Sequence, residues 1–174
     1  GRVTITLSMV QLGPPSLGSA TGITVSTSKD ARSEGVPSGR IGGQVTDVAF
    51  VIADADRVPG ASNKQVTVSF TIQTALVSND RITINYPSGF FQPGTTPTVA
   101  PAPPFMPQTY PNWNSLNVQV AGGQSVAAGR VTITLSGVQL GPPSLGSATG
   151  ITVSTSKDLP SAGVASGRLG GQVT

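Results

Sequence analysis

The chain has 174 residues, a formal net charge of +3, 22 glycines, 15 prolines and neither cysteine nor histidine. The two missing residue types remove disulfides, thiol nucleophiles, imidazole bases and nearly every zinc, copper or haem site. Charged residues make up only 10 % and form no Lys/Arg run, which argues against nucleic-acid binding, and no stretch reaches the roughly 20 apolar residues of a membrane span.

β-Branched residues in alternating runs dominate the chain, and good helix formers are scarce. Val3, Ile5 and Leu7 alternate with Thr4, Thr6 and Ser8, predicting a half-buried strand. Val10 and Leu12 shift the phase, as at a bulge or strand end. GPPSLG (residues 13–18) then reads as a turn or a short polyproline II segment. Ile23 and Val25 predict a second strand, and residues 29–43 a loop or linker. The most continuously apolar run, residues 44–53, fits a strand covered on both faces. Residues 54–63 form a loop, and Val66, Val68, Phe70 and Ile72 make the clearest strand of the chain. Ser78, Asn79 and Asp80 turn it into a strand carrying Ile82 and Ile84, which Pro87 and Gly89 end before Phe90 and Phe91. Residues 92–111 hold seven of the prolines, which excludes a helix or a central strand and predicts a long loop. Phe105, Tyr110 and Trp113 are available to pin that loop to the body. Leu116, Val118 and Val120 mark another strand, after which the opening strands recur at 131–135 and 151–153.

That recurrence organises the chain. Residues 1–46 return as residues 129–174 at a constant offset of 128, with 40 of 46 positions identical. The six differences are Met9/Gly137, Ala31/Leu159, Arg32/Pro160, Glu34/Ala162, Pro37/Ala165 and Ile41/Leu169. Near-identity over such a length is the mark of tandem repetition. About seven short strands with Gly, Pro and Asn turns point to an all-β, immunoglobulin-like β-sandwich. The repeat frame assigns 42–170 to one complete sandwich, 1–41 to the closing strands of a preceding unit, and 171–174 to the start of the next. The expectation is a window cut from a longer repetitive polypeptide.

Several residue groups invite a chemical reading. Asp54, Asp56 and Asp80 are candidate oxygen ligands for Ca²⁺ in loops, although solvated loop carboxylates explain them more simply. Ser28-Lys29 and Ser156-Lys157 resemble a Ser/Lys nucleophile pair, but no oxyanion-hole motif accompanies them, so no catalysis and no cofactor are expected. Phe90, Phe91, Phe105, Tyr110 and Trp113 offer a platform for a sugar or a peptide, against the plainer reading that they cover the end of a core. No Asn-x-Ser/Thr sequon occurs. The exposed Pro/Ser/Thr segments instead suit O-glycosylation or hydroxyproline: Pro14, Pro15 and Ser16, their copies Pro142, Pro143 and Ser144, and Thr95, Thr96, Thr98, Pro101, Pro103 and Pro104.

The run TVSFTIQTALVSNDRITINYPSGFF (residues 67–91), a Pro/Thr-rich loop, and then VTITLSGVQLG and GITVSTS resemble a family of large secreted proteins. These are the tandem Ig-like repeats of extracellular filament and surface proteins of algae and other aquatic protists. The resemblance implies a glycosylated structural subunit at the cell surface, whose partners are neighbouring copies of itself and attached glycans. The alternative is an adhesin-like module that recognises glycans or surfaces through the Pro-rich loop and its aromatics.

Overall fold

The computed structural model describes residues 2–94, 96–107 and 112–171. The alternating runs form strands: β1 (Gly43–Gln44), β2 (Thr46–Val51), β3 (Lys64–Ile72), β4 (Leu76–Val77), β5 (Arg81–Asn85) and β6 (Thr98–Ala100). They continue with β7 (Phe105–Pro107), β8 (Ser115–Val120), β9 (Ser125–Val126), β10 (Gly129–Val138), β11 (Thr152–Thr155) and β12 (Asp158–Leu159). A 3-10 turn at Asp54–Asp56 is the one helical piece among the described residues.

The protein is all-β, with two four-stranded antiparallel sheets ordered β2-β3-β10-β6 and β11-β5-β8-β7. Two short pairs complete the ladders, β4 with β9 antiparallel and β1 with β12 parallel. Period-two alternation turns one apolar face of each sheet inward. Val66, Val68, Phe70, Ile72, Val131, Ile133 and Leu135 from the first sheet meet Ile82, Ile84, Leu116, Val118, Val120 and Val153 from the second in one core. Phe50, Tyr86, Phe90 and Phe91 add an aromatic cluster with ring centroids 4.8–6.4 Å apart, edge-to-face except for the tilted Phe50–Phe91 pair.

Three sequence expectations are corrected. The apolar run at 44–53 is not covered on both faces. Its strand, β2, lies at the outer edge of its sheet, Val51 is exposed, and the register slips between Thr46 and Ala49, where Asp47 takes a positive φ of 52°. The proline-rich stretch is not only loop, since it supplies β6 and β7. Both are outer strands, where a missing N–H costs the ladder least.

The third correction concerns residues 2–8, which form no strand. Val3, Ile5 and Leu7 are 81, 73 and 77 % exposed, whereas their copies Val131, Ile133 and Leu135 are 5, 0 and 1 % exposed. The sequence RVTITLS is the same in both places. What differs is the neighbour: β10 lies between β3 and β6, while residues 2–8 have no strand beside them. The expected strand at Ile23 and Val25 is likewise reduced to a single bridge between Ile23 and Val36.

This contrast makes a direct prediction. Ile133→Ala should lower the unfolding free energy by about 2–5 kcal/mol, as for a fully buried Ile or Leu. Ile5→Ala, in the same local sequence, should stay within about 0.5 kcal/mol of the parent, as at exposed positions. Paired chemical denaturation curves measure both, and equal losses would contradict the assigned burial.

Candidate functional site: the duplicated segment and its seat

The duplicated segment is held together locally by hydroxyl groups, and both copies use the same ones. Ser16 Oγ accepts the N–H of Gly18 at 3.1 Å, and Ser144 Oγ that of Gly146 at 3.1 Å. The hydroxyls of Ser38 and Ser166 each accept an N–H at 2.9 Å, from Ser19 and Ser147. Ser33 Oγ accepts from Val25, and Ser161 Oγ from Val153. Thr27 Oγ1 accepts from Lys29 and Asp30, and Thr155 Oγ1 from Lys157 and Asp158. The backbone bridges match too, Ser16–Ile41 and Ile23–Val36 against Ser144–Leu169 and Ile151–Val164. All these bonds lie within one segment, so the first copy keeps its turns although its apolar residues are exposed.

Only the second copy is seated. There β10 pairs with β3 over its whole length, β11 pairs with β5, and Leu140, Ile151, Val153 and Leu169 enter the core. Asp158 fastens the seat. Its Oδ1 accepts the Gly43 N–H at 3.0 Å and the Thr74 hydroxyl at 2.6 Å. Its Oδ2 accepts the N–H groups of Gln73 and Thr74 at 2.9 and 3.1 Å. The carboxylate is buried, and charge-assisted bonds from backbone donors are among the stronger kinds. Asp30, its copy, is exposed and instead accepts the Thr27 hydroxyl at 2.7 Å.

The two ends of the body lie at opposite poles. Gly43 sits beside Gln73 and Asp158, just beyond the Ile72 end of β3. Gly170 donates its N–H to the Arg57 carbonyl, near the Lys64 end, where Lys64 also pairs with Asp56. Nine residues of β3 separate the poles, roughly 30 Å at strand rise. At the Gly43 pole, Leu12, Gly13, Pro15 and Ile41 line a shallow groove with Thr74, Ser156 and Lys157. Gly42 has a positive φ of 77°, and a Cβ there would collide with the Lys157 carbonyl oxygen, so this joint requires glycine. At the other pole Arg57 Nη1 donates to the carbonyls of Ser166 and Arg168, beside an open groove of about 580 Å³ that Pro59 and Gly171 also line.

The calcium candidates do not converge. Asp54 is exposed, with Arg57 Nε 3.9 Å away, and Asp56 pairs with Lys64 at 2.8 Å. Asp80 lies at the other pole, accepting the Val77 N–H and the Ser156 hydroxyl, with Lys157 Nζ at 3.8 Å. Among the described residues no three His, Cys, Asp or Glu side chains form a group fit for a metal ion. The Ser156 and Lys157 side chains are thus turned to the same carboxylate and fasten a turn.

The aromatic platform also divides. Phe90, Phe91 and Phe105 are buried in the core, so they cannot contribute to a surface. Trp113 is exposed, and Tyr110 lies outside the described residues. Tyr86, not singled out as a platform residue, holds the end of the Pro-rich stretch instead. Its hydroxyl is shared between the carbonyls of Asn112 and Ser115 at 2.7 and 2.8 Å, and burial raises its pKa above the usual phenol value.

Of the glycosylation candidates, Pro14, Pro142, Pro143, Thr96, Thr98, Pro101 and Pro103 are exposed, while Pro15 and Pro104 are half-buried. Ser16 is exposed and Ser144 half-buried, and both hydroxyls accept turn N–H groups. Thr95 and residues 172–174, expected to open the next unit, lie outside the described residues.

Asp158 is the residue that reading the sequence missed, because beside Lys157 it passes for a turn residue. A signal was present: Ser-Lys-Asp recurs intact at 28–30 and 156–158, while the next two positions differ.

No protein-family model matches the chain, and no curated protein sequence is matched by it. Among solved structures, it is similar to the one titled crystal structure of BslA, a bacterial hydrophobin. The TM-score is 0.45 at 16 % identity, over 76 % of this chain and 98 % of that one.

Removing the Asp158 carboxylate strands three backbone N–H donors. Asp158→Ala should therefore cost about 3 kcal/mol or more of unfolding free energy. Asp30→Ala should leave the unfolding midpoint unmoved. Thermal denaturation of the two variants beside the parent checks both, and equal shifts would remove the clasp from the account.

Proposed function

We propose that the chain is a structural subunit of an extracellular filament or cell-surface array, built from tandem immunoglobulin-like β-sandwich repeats and without catalysis. Units join end to end by strand pairing, and O-glycans or hydroxyproline on the exposed Pro/Ser/Thr segments shield the sheet edges. One observation carries this reading: the closing half of the sandwich occurs twice, once seated in a body and once with its apolar face bare. A bare face of this composition calls for a body of the matching kind. The polar arrangement supports the same reading. The chain enters a unit at one end and leaves at the other, so successive units extend in a line, as in quasi-one-dimensional repeat proteins.

The test is the mass and shape of the native material. The expected result is a denatured polypeptide far above 17.5 kDa, in multiples of the 128-residue period with excess glycan mass, and unbranched threads in electron micrographs. A species near 17.5 kDa that forms no threads would overturn the proposal. The exposure of Trp113 favours a second reading, an adhesin-like module. Saturable binding on a glycan array that is lost in Trp113→Ala would select it.

A further inference from the structure

The duplicated segment shows each side of a junction once. Across residues 2–43 and 130–171 the second copy is covered as well as the first or better, with two exceptions. Pro15 is half-buried where Pro143 is exposed, and Gly43 is buried where Gly171 is exposed. Both exceptions fall where the first copy runs onto the body that follows it. There Pro15 and Gly42 line a groove with Thr74, Ser156 and Lys157, and Gly43 pairs with Asp158.

The matching residues at the other pole face open grooves. Pro143, Gly170 and Gly171 line them, with Arg57 and Pro59 as one wall. The two turns share their backbone, since the Ser144–Leu169 bridge repeats the Ser16–Ile41 bridge and Gly42 and Gly170 take φ of 77° and 83°. A Cβ on Gly170 would lie 2.9 Å from Pro59 Cγ of its own body, while a Cβ on Gly42 would collide with the Lys157 carbonyl oxygen of the following one. Laid over each other, the two glycines bring Pro59 of one unit against the Lys157 turn of the next.

The backbone leaves no slack at this place. Gly170 donates its N–H to the Arg57 carbonyl, and Gly43, the counterpart of Gly171, donates its own to the Asp158 carboxylate. Neighbouring residues are thus anchored in neighbouring bodies, and their Cα atoms lie about 3.8 Å apart.

We propose that Arg57, Pro59, Pro143, Gly170 and Gly171 form a docking surface for the turn at Thr74, Ser156 and Lys157 of the repeat that follows. Consecutive bodies then touch directly instead of hanging on a free linker. Pro15 and Gly42, which meet that turn here, recur unchanged as Pro143 and Gly170, and this identity fixes the occupant. Arg57 stiffens the donor side, because its Nη1 bonds to the carbonyls of Ser166 and Arg168 hold the strand that ends at Gly170 beside Pro59.

The proposal rests on the tandem-array reading and adds where the bodies meet. The chain has no cysteine, so introduced pairs report without background. In a two-unit chain, residues 1–174 followed by 47–174 again, Pro59→Cys in the first unit with Lys157→Cys in the second should form a disulfide within one chain. Thr98→Cys in the first unit lies at the same end of the sheet but on its opposite edge strand, β6, and should give several-fold less with the same partner. Equal yields, or no 59–157 disulfide, overturn the docking. In the 174-residue chain the 59–157 pair spans the two poles, roughly 30 Å apart, and an internal disulfide there would overturn it as well. Should the cysteine variants unfold, X-ray scattering of the cysteine-free two-unit chain decides. One fixed elongated shape is expected, and a spread of angles between the units refutes the contact. Native threads of long repeat polypeptide without the 59–157 disulfide would sink the docking alone, and the disulfide alongside a short, thread-free native polypeptide would sink the filament reading alone.

Discussion

The pairing of β3 with β10 is the contact on which the rest of the body depends. It joins nine residues of the longest central ladder, places Val131, Ile133 and Leu135 beside Val66, Val68 and Phe70, and gives β6 its partner. Without β10, β3 would present an open row of N–H and C=O groups, and the core would lose a wall. A sheet edge of that kind is closed by another strand or by association. The body thus needs a closing half, and the sequence that supplies it occurs twice in these residues.

The duplication shows which properties belong to a segment and which to its surroundings. The turns of residues 13–41 form in both copies because Ser and Thr hydroxyls of the same segment, between 2 and 19 positions away, satisfy their N–H groups. The strand at residues 2–8 does not form, although the same letters make β10. Turn geometry is short-range and travels with the sequence, whereas a strand is a relation between two segments. Alternation announces the capacity to be a strand but says nothing of whether a partner is within reach.

The same distinction explains what could be read beforehand. The strands at 64–72, 81–85 and 115–120 were evident because their alternation is long and their partners lie in the same body. The two edge strands in the proline-rich stretch were hidden, since proline signals only that a segment is not central. The aromatics were ambiguous for another reason. Phe105 and Trp113 have similar chemistry, and only the three-dimensional arrangement places one in the core and the other in solvent. Asp158 stayed unrecognised because its four donors come from residues 43, 73 and 74, far away along the chain.

The placement of the two ends has a mechanical consequence. A pull applied between Gly42 and Gly170 draws the N-terminal side of β1 and the C-terminal side of β12 apart. Because β1 and β12 run parallel, the force acts along the strands and shears their bonds together instead of unzipping them one at a time. The Asp158 carboxylate lies in this joint, bonded both to Gly43 and to the turn at Gln73 and Thr74. Tension entering at the glycine joint is therefore carried through that carboxylate into the end of the longest ladder.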